Sequence, residues 1–289
     1  MTLPAFADRV EYYDHVARGY DLIADTYDRV EAANAVGRRL RKHMQAALFR
    51  TFSPGDRVLD IGCGTGIEAL ALAERGVAVV ATDLSEQMVE RVRKKAAERG
   101  FANVIARRLA AHEIGVLHAE FGEGAFDGTY SHGGALNMDP RLGDVAPELA
   151  RLVRPSGRIL CTVVNQASLF EVVFYPLVLR PSKAFRRLGN DIPIPITRLK
   201  AFRRYVVPTR FYSPRTFVRL FKPHFVLRRL EGLQILLPPW NLSDYVDQLE
   251  PLARAIEVIE DLLAEKRPFN SWGSLFIAEL ERVADDGSR

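Results

Sequence analysis

Through the middle of the chain, short apolar runs alternate with stretches in which apolar residues return every three or four positions. Arg57 to Ile61, Val77 to Asp83, Asn103 to Arg108, Gly124 to Ser131 and Arg158 to Val164 are runs of the first kind. Short runs bounded by turn residues predict strands. The continuous apolar character of Val77 to Thr82 suits a sheet covered on both faces. Between the runs, Gly66 to Arg75, a segment opening after Ser85, and Arg141 to Val153 carry helical spacing. Gly76 is placed to end the first helix and Ser85 to cap the second, with Met88 three positions on. Pro155 stops the third. Alternating strand and helix predict an α/β fold around a mostly parallel sheet.

The two ends of the chain read differently. Residues 9 to 50 read as helical, with aromatic and apolar residues at three- and four-residue spacings from Val10 to Tyr27. Residues 166 to 223 break the alternation, mixing Phe170, Phe174, Tyr175, Phe185, Phe202, Tyr205, Phe211 and Tyr212 with many arginines. Ile192-Pro-Ile-Pro-Ile196 cannot be helical throughout. This segment reads as a cap: a helix near 167–179, an extended region near 192–212, and a helix opened by Ser213-Pro214. A sixth strand from Phe225 to Glu231, a loop at Leu237-Pro-Pro-Trp240, a long helix over 244–265 and a seventh strand from Ser274 to Leu280 complete the reading. The expected division is an N-terminal helical segment (1–50), a core (51–165), a cap insertion (166–223) and the C-terminal part of the core sheet (224–289).

Composition narrows the class without naming it. A hydrophobic content of 48% with 26% charged residues suits a soluble globular protein. A net charge of +4 does not require a nucleic-acid partner. The longest nearly apolar run, Leu169 to Leu179, is 11 residues and contains Glu171 and Pro176, too short to span a bilayer. No signal peptide is expected, and Cys63 and Cys161 read as free thiols, which together predict a cytoplasmic location. Neither cysteine has a Cys or His at ligand spacing, so no metal site is expected.

The chemistry concentrates at Val58-Leu-Asp-Ile-Gly-Cys-Gly-Thr-Gly-Ile-Glu-Ala-Leu70, a strand, a turn with three glycines and the start of a helix. The dinucleotide fingerprint G-x-G-x-x-G would need a glycine at 67, where the chain has Ile67. What stands there is Asp60-x-Gly62-x-Gly64-x-Gly66, with an acid ahead of the turn that suits an ammonium group on the ligand. The second strand ends in Asp83, 17 residues after Gly66, where a carboxylate can accept from both hydroxyls of a ribose. The fourth strand runs into the loop His132-Gly-Gly-Ala-Leu-Asn137 at the edge where open α/β sheets bind ligands.

These motifs resemble those of class I S-adenosylmethionine-dependent methyltransferases. The resemblance covers 56–164 and extends to the last two strands. It implies a Rossmann-like three-layer sandwich whose seven-stranded, mostly parallel sheet ends in an antiparallel strand, with S-adenosyl-L-methionine as cofactor. It implies that Asp60, Gly62, Gly64, Gly66, Asp83, Leu84, Met88, Ala110 and Ser131 surround the cofactor. Tyr20-Asp21 and Tyr27-Asp28 resemble the pair that folds over it in that family. The family often has an acid after the third strand that accepts from the adenine amino group. Here Leu109-Ala110-Ala111 has none and Glu113 comes late, so adenine contact at Ala110 or Ala111 would be through backbone and shape.

Methyl transfer needs alignment more than catalytic groups, with a base only where the nucleophile starts protonated. His132 and Tyr27 are the catalytic candidates, with Tyr20 and His15 behind them. A magnesium arrangement would draw on Asp139 and Asn165 and is not expected. The cap aromatics point to a small, largely apolar or aromatic acceptor (natural-product, quinone or lipid-like), with Asn137, Phe170 and Tyr175 as candidate substrate contacts. Its cations, Arg180, Lys183, Arg186, Arg187, Arg198, Lys200, Arg203, Arg204, Arg210 and Arg215, leave two alternatives open. One is an RNA methyltransferase, although scattered charge argues against a nucleic-acid partner. The other is a non-catalytic cofactor-binding module with transient membrane contact through 169–179.

Overall fold

Five apolar runs lie side by side in the computed structural model, which describes residues 3–188, 192–196, 205–240 and 250–284. β1 (Arg57–Ile61) lies between β2 (Ala78–Asp83) and β4 (Phe126–Ser131), with β3 (Val104–Arg108) beyond β2 and β5 (Val153–Val164) beyond β4. All of these pairings are parallel. Two further strands, β8 (Phe225–Leu233) and β9 (Leu275–Arg282), extend the far edge in the order β3-β2-β1-β4-β5-β9-β8. β9 runs antiparallel to both neighbours. The sheet is the expected seven-stranded one with an antiparallel last strand. The strand order reverses between β1 and β4, so their carboxyl ends diverge and leave the crevice where such sheets hold ligands.

Helices cover both faces. One face carries α3 (Ala35–Thr51), α4 (Ile67–Glu74) and α5 (Glu86–Glu98), which bury Met44, Leu48, Leu72, Val89 and Val92 against β1 and β2. The other carries α7 (Leu142–Leu152) and α9 (Pro214–Leu220), which bury Val145, Leu149 and Phe217 with Phe276. The caps follow local chemistry. Ser85 accepts from the Met88 N–H at 3.1 Å to open α5, and Ser213 accepts from the Thr216 N–H at 3.2 Å with Pro214 in the first turn of α9. Gly76, at φ 83°, follows α4 in the left-handed conformation that ends a helix cheaply only for glycine.

Two elements differ from the expectation. The N-terminal helical run is three helices, α1 (Arg9–Asp21), α2 (Tyr27–Ala33) and α3, because side chains restart it. Asp8 caps α1 by accepting from the Glu11 N–H at 2.9 Å, and Asn34 caps α3 by accepting from the Gly37 N–H at 2.7 Å. β5 begins at Val153, upstream of the expected Arg158. Its pairing with β4 shifts register across Pro155-Ser-Gly157, where Ser156 sits at φ 61°. Of the expected helix over 244–265, residues 250–263 form α10 (Glu250–Leu263), and 241–249 lie outside the described residues.

The segment after β5 contains α8 (Leu169–Leu177), a 3-10 turn over Pro181–Leu188, and an antiparallel pair of β6 (Ile192–Pro195) and β7 (Val206–Thr209). Phe202, Arg198, Lys200, Arg203 and Arg204 lie outside the described residues. A buried ion cluster pins it. Glu171 is completely buried and accepts from Arg187 Nε at 3.0 Å and Nη2 at 2.9 Å, and from Arg186 Nε at 3.1 Å and Nη2 at 2.6 Å. Arg187 Nη1 also donates to the carbonyls of Asn165 at 2.9 Å and Ser274 at 3.0 Å, tying the segment to the ends of β5 and β9. Burial alone would raise the Glu171 carboxyl, but the two guanidiniums outweigh it and hold the group below the usual range.

Glu171→Gln is therefore expected to destabilise the fold by about 3–5 kcal/mol, because Arg187 keeps its buried charge without a counter-ion. Urea unfolding at neutral pH reads this. A folded-state pKa below the unfolded one contributes stability above the unfolded value and loses it as pH falls through the folded value. The gap between wild type and variant should therefore narrow in acid.

Candidate active site

The glycine turn is shaped by what crowds it. Gly62, Gly64 and Gly66 have φ of 74°, 52° and 79°, a region that side-chain-bearing residues seldom adopt. A Cβ on Gly62 would run into Ala135 Cβ on the loop after β4, so the glycine is also needed for space. At the end of β2 the Asp83 carboxylate is fixed by two backbone donors. Gly64 N–H donates to Oδ2 at 2.8 Å and Ser85 N–H to Oδ1 at 2.9 Å. Each oxygen retains lone pairs for further donors, which is the geometry a vicinal diol needs. Burial pushes the Asp83 carboxyl up to about 6, against the lowering effect of those N–H groups.

A cleft of about 740 Å³, open mouth included, lies over this turn. Its floor is Ile61, Gly62 and Gly64; one wall is Asp83, Leu84, Leu109, Ala110 and Ala111; the opposite wall is His132, Gly133 and Ala135. Tyr13, Val16, Tyr20 and Tyr27 close it from the N-terminal helices, with Met138 and Asp139 beside them. Carboxylates fasten that roof to the walls. Asp21 accepts from Ser85 Oγ at 2.5 Å and from the Gln87 N–H at 3.2 Å. Asp28 accepts from the Thr65 hydroxyl and pairs with Lys95, and Arg41 pairs with Glu68 while reaching Glu31 at 3.4 Å.

The polar groups facing the cleft are held in defined states. His132 Nδ1 lies 3.0 Å from Thr162 Oγ1, and burial lowers its pKa, so the imidazole is neutral at physiological pH. Tyr20 donates to Met138 Sδ at 3.2 Å, and burial raises the Tyr20 and Tyr27 phenols, so both stay protonated. Tyr13 donates to Asp139 Oδ1 at 2.8 Å and stacks on His112 with centroids 4.4 Å apart.

Of the residues singled out in the sequence, Tyr20, Tyr27, Gly62, Gly64, Asp83, Leu84, Ala110, Ala111, His132 and Asp139 meet at this cleft. The others lie away from its walls, for local reasons. Asp60 is buried and accepts from the Tyr130 hydroxyl at 2.8 Å. Gly66 abuts Val92 as the residue before α4, and Met88 is buried in the first turn of α5. Ser131 is buried in β4. Asn137 spends its side chain as a stitch, donating to the carbonyls of Val164 at 3.1 Å and Arg210 at 2.7 Å and accepting from the Val164 N–H at 2.9 Å. Phe170 stacks on Phe174 and Tyr175 packs beneath Lys183 and Arg186, inside the segment after β5. His15 contacts the Val206 carbonyl at 2.8 Å and stacks on Tyr205. Glu113 accepts from the Ala110 N–H at 3.1 Å. Asn165 donates to the carbonyls of Ser271 and Gly273, both at 2.8 Å. Among the described residues no group of three or more His, Cys, Asp or Glu could hold a metal ion.

Tyr13, Val16 and Met138 line the cleft without a sequence signal of their own. Tyr13 and Val16 share the helical spacing that marks any packed face, and periodicity does not say which partner a face meets.

Asp83 carries a pH dependence that can be measured without ligand. Its folded pKa is raised above the unfolded value, so it favours the fold below about pH 4 and loses that contribution as pH rises through about 6. Asp83→Asn should gain thermal stability relative to wild type over that interval, by no more than roughly 3 kcal/mol. Melting curves across the interval check the sign.

Comparison with known proteins bears on the same stretch. Residues 58–157 match the model of a methyltransferase domain. The chain is 28% identical over 155 residues to the demethylmenaquinone methyltransferase of Symbiobacterium thermophilum, covering 52% of this chain and 59% of that protein. It is 38% identical over 164 residues to nocamycin O-methyltransferase of Saccharothrix syringae, covering 55% and 54%. The matched stretches thus span little more than half the length of these relatives. Among solved structures, Burkholderia thailandensis 1,6-didemethyltoxoflavin-N1-methyltransferase, with bound 1,6-didemethyltoxoflavin and S-adenosylhomocysteine, is 17% identical with a TM-score of 0.57 over 98% of this chain and 94% of that one. The [4+2]-cyclase SpnF is 15% identical with a TM-score of 0.61 over 93% and 95%. At these identities the likeness to the solved structures is one of fold.

Proposed function

We propose that this chain, whose core is a class I S-adenosylmethionine-dependent methyltransferase domain, transfers a methyl group to an oxygen or nitrogen of a small, largely apolar or aromatic molecule. The observation that carries the reading is the Asp83 carboxylate, aimed into a glycine-floored cleft and steadied by two backbone N–H groups. The cleft suits a nucleoside with an amino-acid tail. Gly62 leaves the backbone bare where a side chain would fill the floor, and Leu84, Leu109, Ala110 and Ala111 offer apolar flanks to a planar base. The acceptor class follows the names of the relatives, one a demethylmenaquinone and one a nocamycin methyltransferase.

S-adenosyl-L-methionine supplies a methyl group already activated on a sulfonium. The chain's own work is then alignment and protection. Asp83 holds the ribose hydroxyls, and the glycine turn brings backbone against the ligand. Tyr20 and Tyr27 close the roof and exclude water. His132 is neutral, its Nδ1 is engaged by Thr162, and its Nε2 is the nitrogen left to take a proton from an acceptor hydroxyl.

In this reading residues 1–50 form the roof, 51–165 the cofactor core, 166–223 the cap over the acceptor and 224–289 the closing part of the sheet. The packing of α1 on the hairpin supports the shared roof: a Cβ on Gly19 would lie 2.7 Å from Ile196 Cδ1 and 2.8 Å from Tyr205 Cε1. A cytoplasmic location belongs to the same proposal. Among the described residues no helix is long and apolar enough to cross a membrane. Nucleic acid is not part of the reading, since Arg186 and Arg187 are spent on Glu171.

Calorimetric titration with S-adenosylhomocysteine tests the cleft. Wild type should bind, and Asp83→Ala should bind roughly tenfold to a hundredfold more weakly, as expected for lost charge-assisted hydrogen bonds. Absence of wild-type binding would sink the reading. Affinity should also fall below about pH 6 as Asp83 takes up a proton and loses its charge and one of its two acceptor oxygens. His132→Ala should lower kcat towards a phenolic acceptor by on the order of 10²-fold with cofactor affinity unchanged.

A further inference from the structure

The outer face of the segment after β5 takes no part in the cleft. α8 and the turn that follows it expose Val172, Val173, Leu177, Leu179, Phe185 and Leu188, with Leu179 at 90%. Glu171 is the only acid between 166 and 188, and it is fully buried under Arg186 and Arg187. The face this segment shows to solvent therefore combines aliphatic and aromatic groups with the exposed cations Arg180 and Lys183, and none of its own carboxylates.

The end of α8 shows that folding does not explain this composition. Leu179 N–H donates to the Pro176 carbonyl at 3.0 Å and Arg180 N–H to the Tyr175 carbonyl at 2.8 Å, the paired bonds of a Schellman motif. Leu179 occupies its left-handed position at φ 57°, where glycine is the unstrained choice. A leucine there strains the backbone and places an apolar side chain in water. Both effects oppose stability in the free chain.

We propose that this face docks peripherally on an anionic lipid bilayer. Leu177, Leu179 and Phe185 enter the boundary between headgroups and acyl chains while Arg180 and Lys183 meet anionic headgroups. The charge of the face selects this occupant: an apolar patch edged by cations and free of its own acids complements a negatively charged lipid surface. The inference does not rest on the chemistry assigned to the cleft.

Co-sedimentation of the full chain with vesicles tests it. Wild type should bind vesicles of phosphatidylcholine mixed with phosphatidylglycerol, bind phosphatidylcholine alone weakly, and be released by salt. Arg180→Ala with Lys183→Ala should lose about fivefold in partitioning per cation removed. Leu177→Ser with Leu179→Gly should lose tenfold or more by reduced burial of apolar groups, roughly as expected for two leucines. The same pair should keep its S-adenosylhomocysteine affinity, and Leu179→Gly alone should melt no lower than wild type. That combination separates binding from folding. Absence of wild-type binding to the mixed vesicles, or undiminished binding by the leucine pair, would overturn the proposal. So would loss of wild-type self-association in the leucine pair without any vesicle binding, which would assign the face to a second copy of the chain.

Discussion

The Asp83 carboxylate is the point on which the cleft turns. It joins the glycine turn to the start of α5 by accepting from Gly64 and Ser85, and Ser85 passes the connection to Asp21 in the roof. Three segments far apart in the chain, the glycine turn, the junction of β2 with α5, and α1, are thereby linked through one carboxylate. The arrangement keeps a half-buried acid partly solvated by protein donors, and its pKa still rises to about 6 because two N–H groups do not replace water fully. A ligand that brings two hydroxyls completes that shell, so the same burial that weakens the free fold favours the bound one.

A second carboxylate does the opposite kind of work. Glu171 is fully buried, and two guanidiniums surround it and hold its pKa down. It draws Arg187 inward and neutralises Arg186 at the surface, which leaves the rest of that segment's surface to leucines, valines and the remaining cations. The contrast between Asp83 and Glu171 separates a site from a rivet: one acid keeps unused acceptor capacity facing a cleft, and the other is saturated by its own chain.

The fold alone says little about the reaction. Structures of similar shape include an N-methyltransferase and a [4+2]-cyclase, so the sheet and its helices are a scaffold on which different chemistry is carried. On this chain the scaffold carries the roof of Tyr13, Val16, Tyr20 and Tyr27, the neutral His132, and the apolar flank Leu109-Ala110-Ala111.

The sequence by itself determined the strands, the sheet class, the glycine turn and Asp83, because each depends on residues adjacent in the chain. An apolar run between turn residues, a glycine at a positive φ and a cap at Ser85 are local constraints, and β1 begins and ends where the pattern places it. The tertiary structure decided which side chains look into the cleft. Asn137 stands in the loop where a substrate contact is expected, yet the ends of β5 and β7 take up its amide. Phe170 and Tyr175 read as pocket aromatics, yet the packing of α8 against the following turn turns them to each other's neighbours. Tyr13 and Val16 look like any helix face until α1 is laid across the cleft. Spacing along the chain records that a face is apolar or a group can bond; only the meeting of distant segments settles with what.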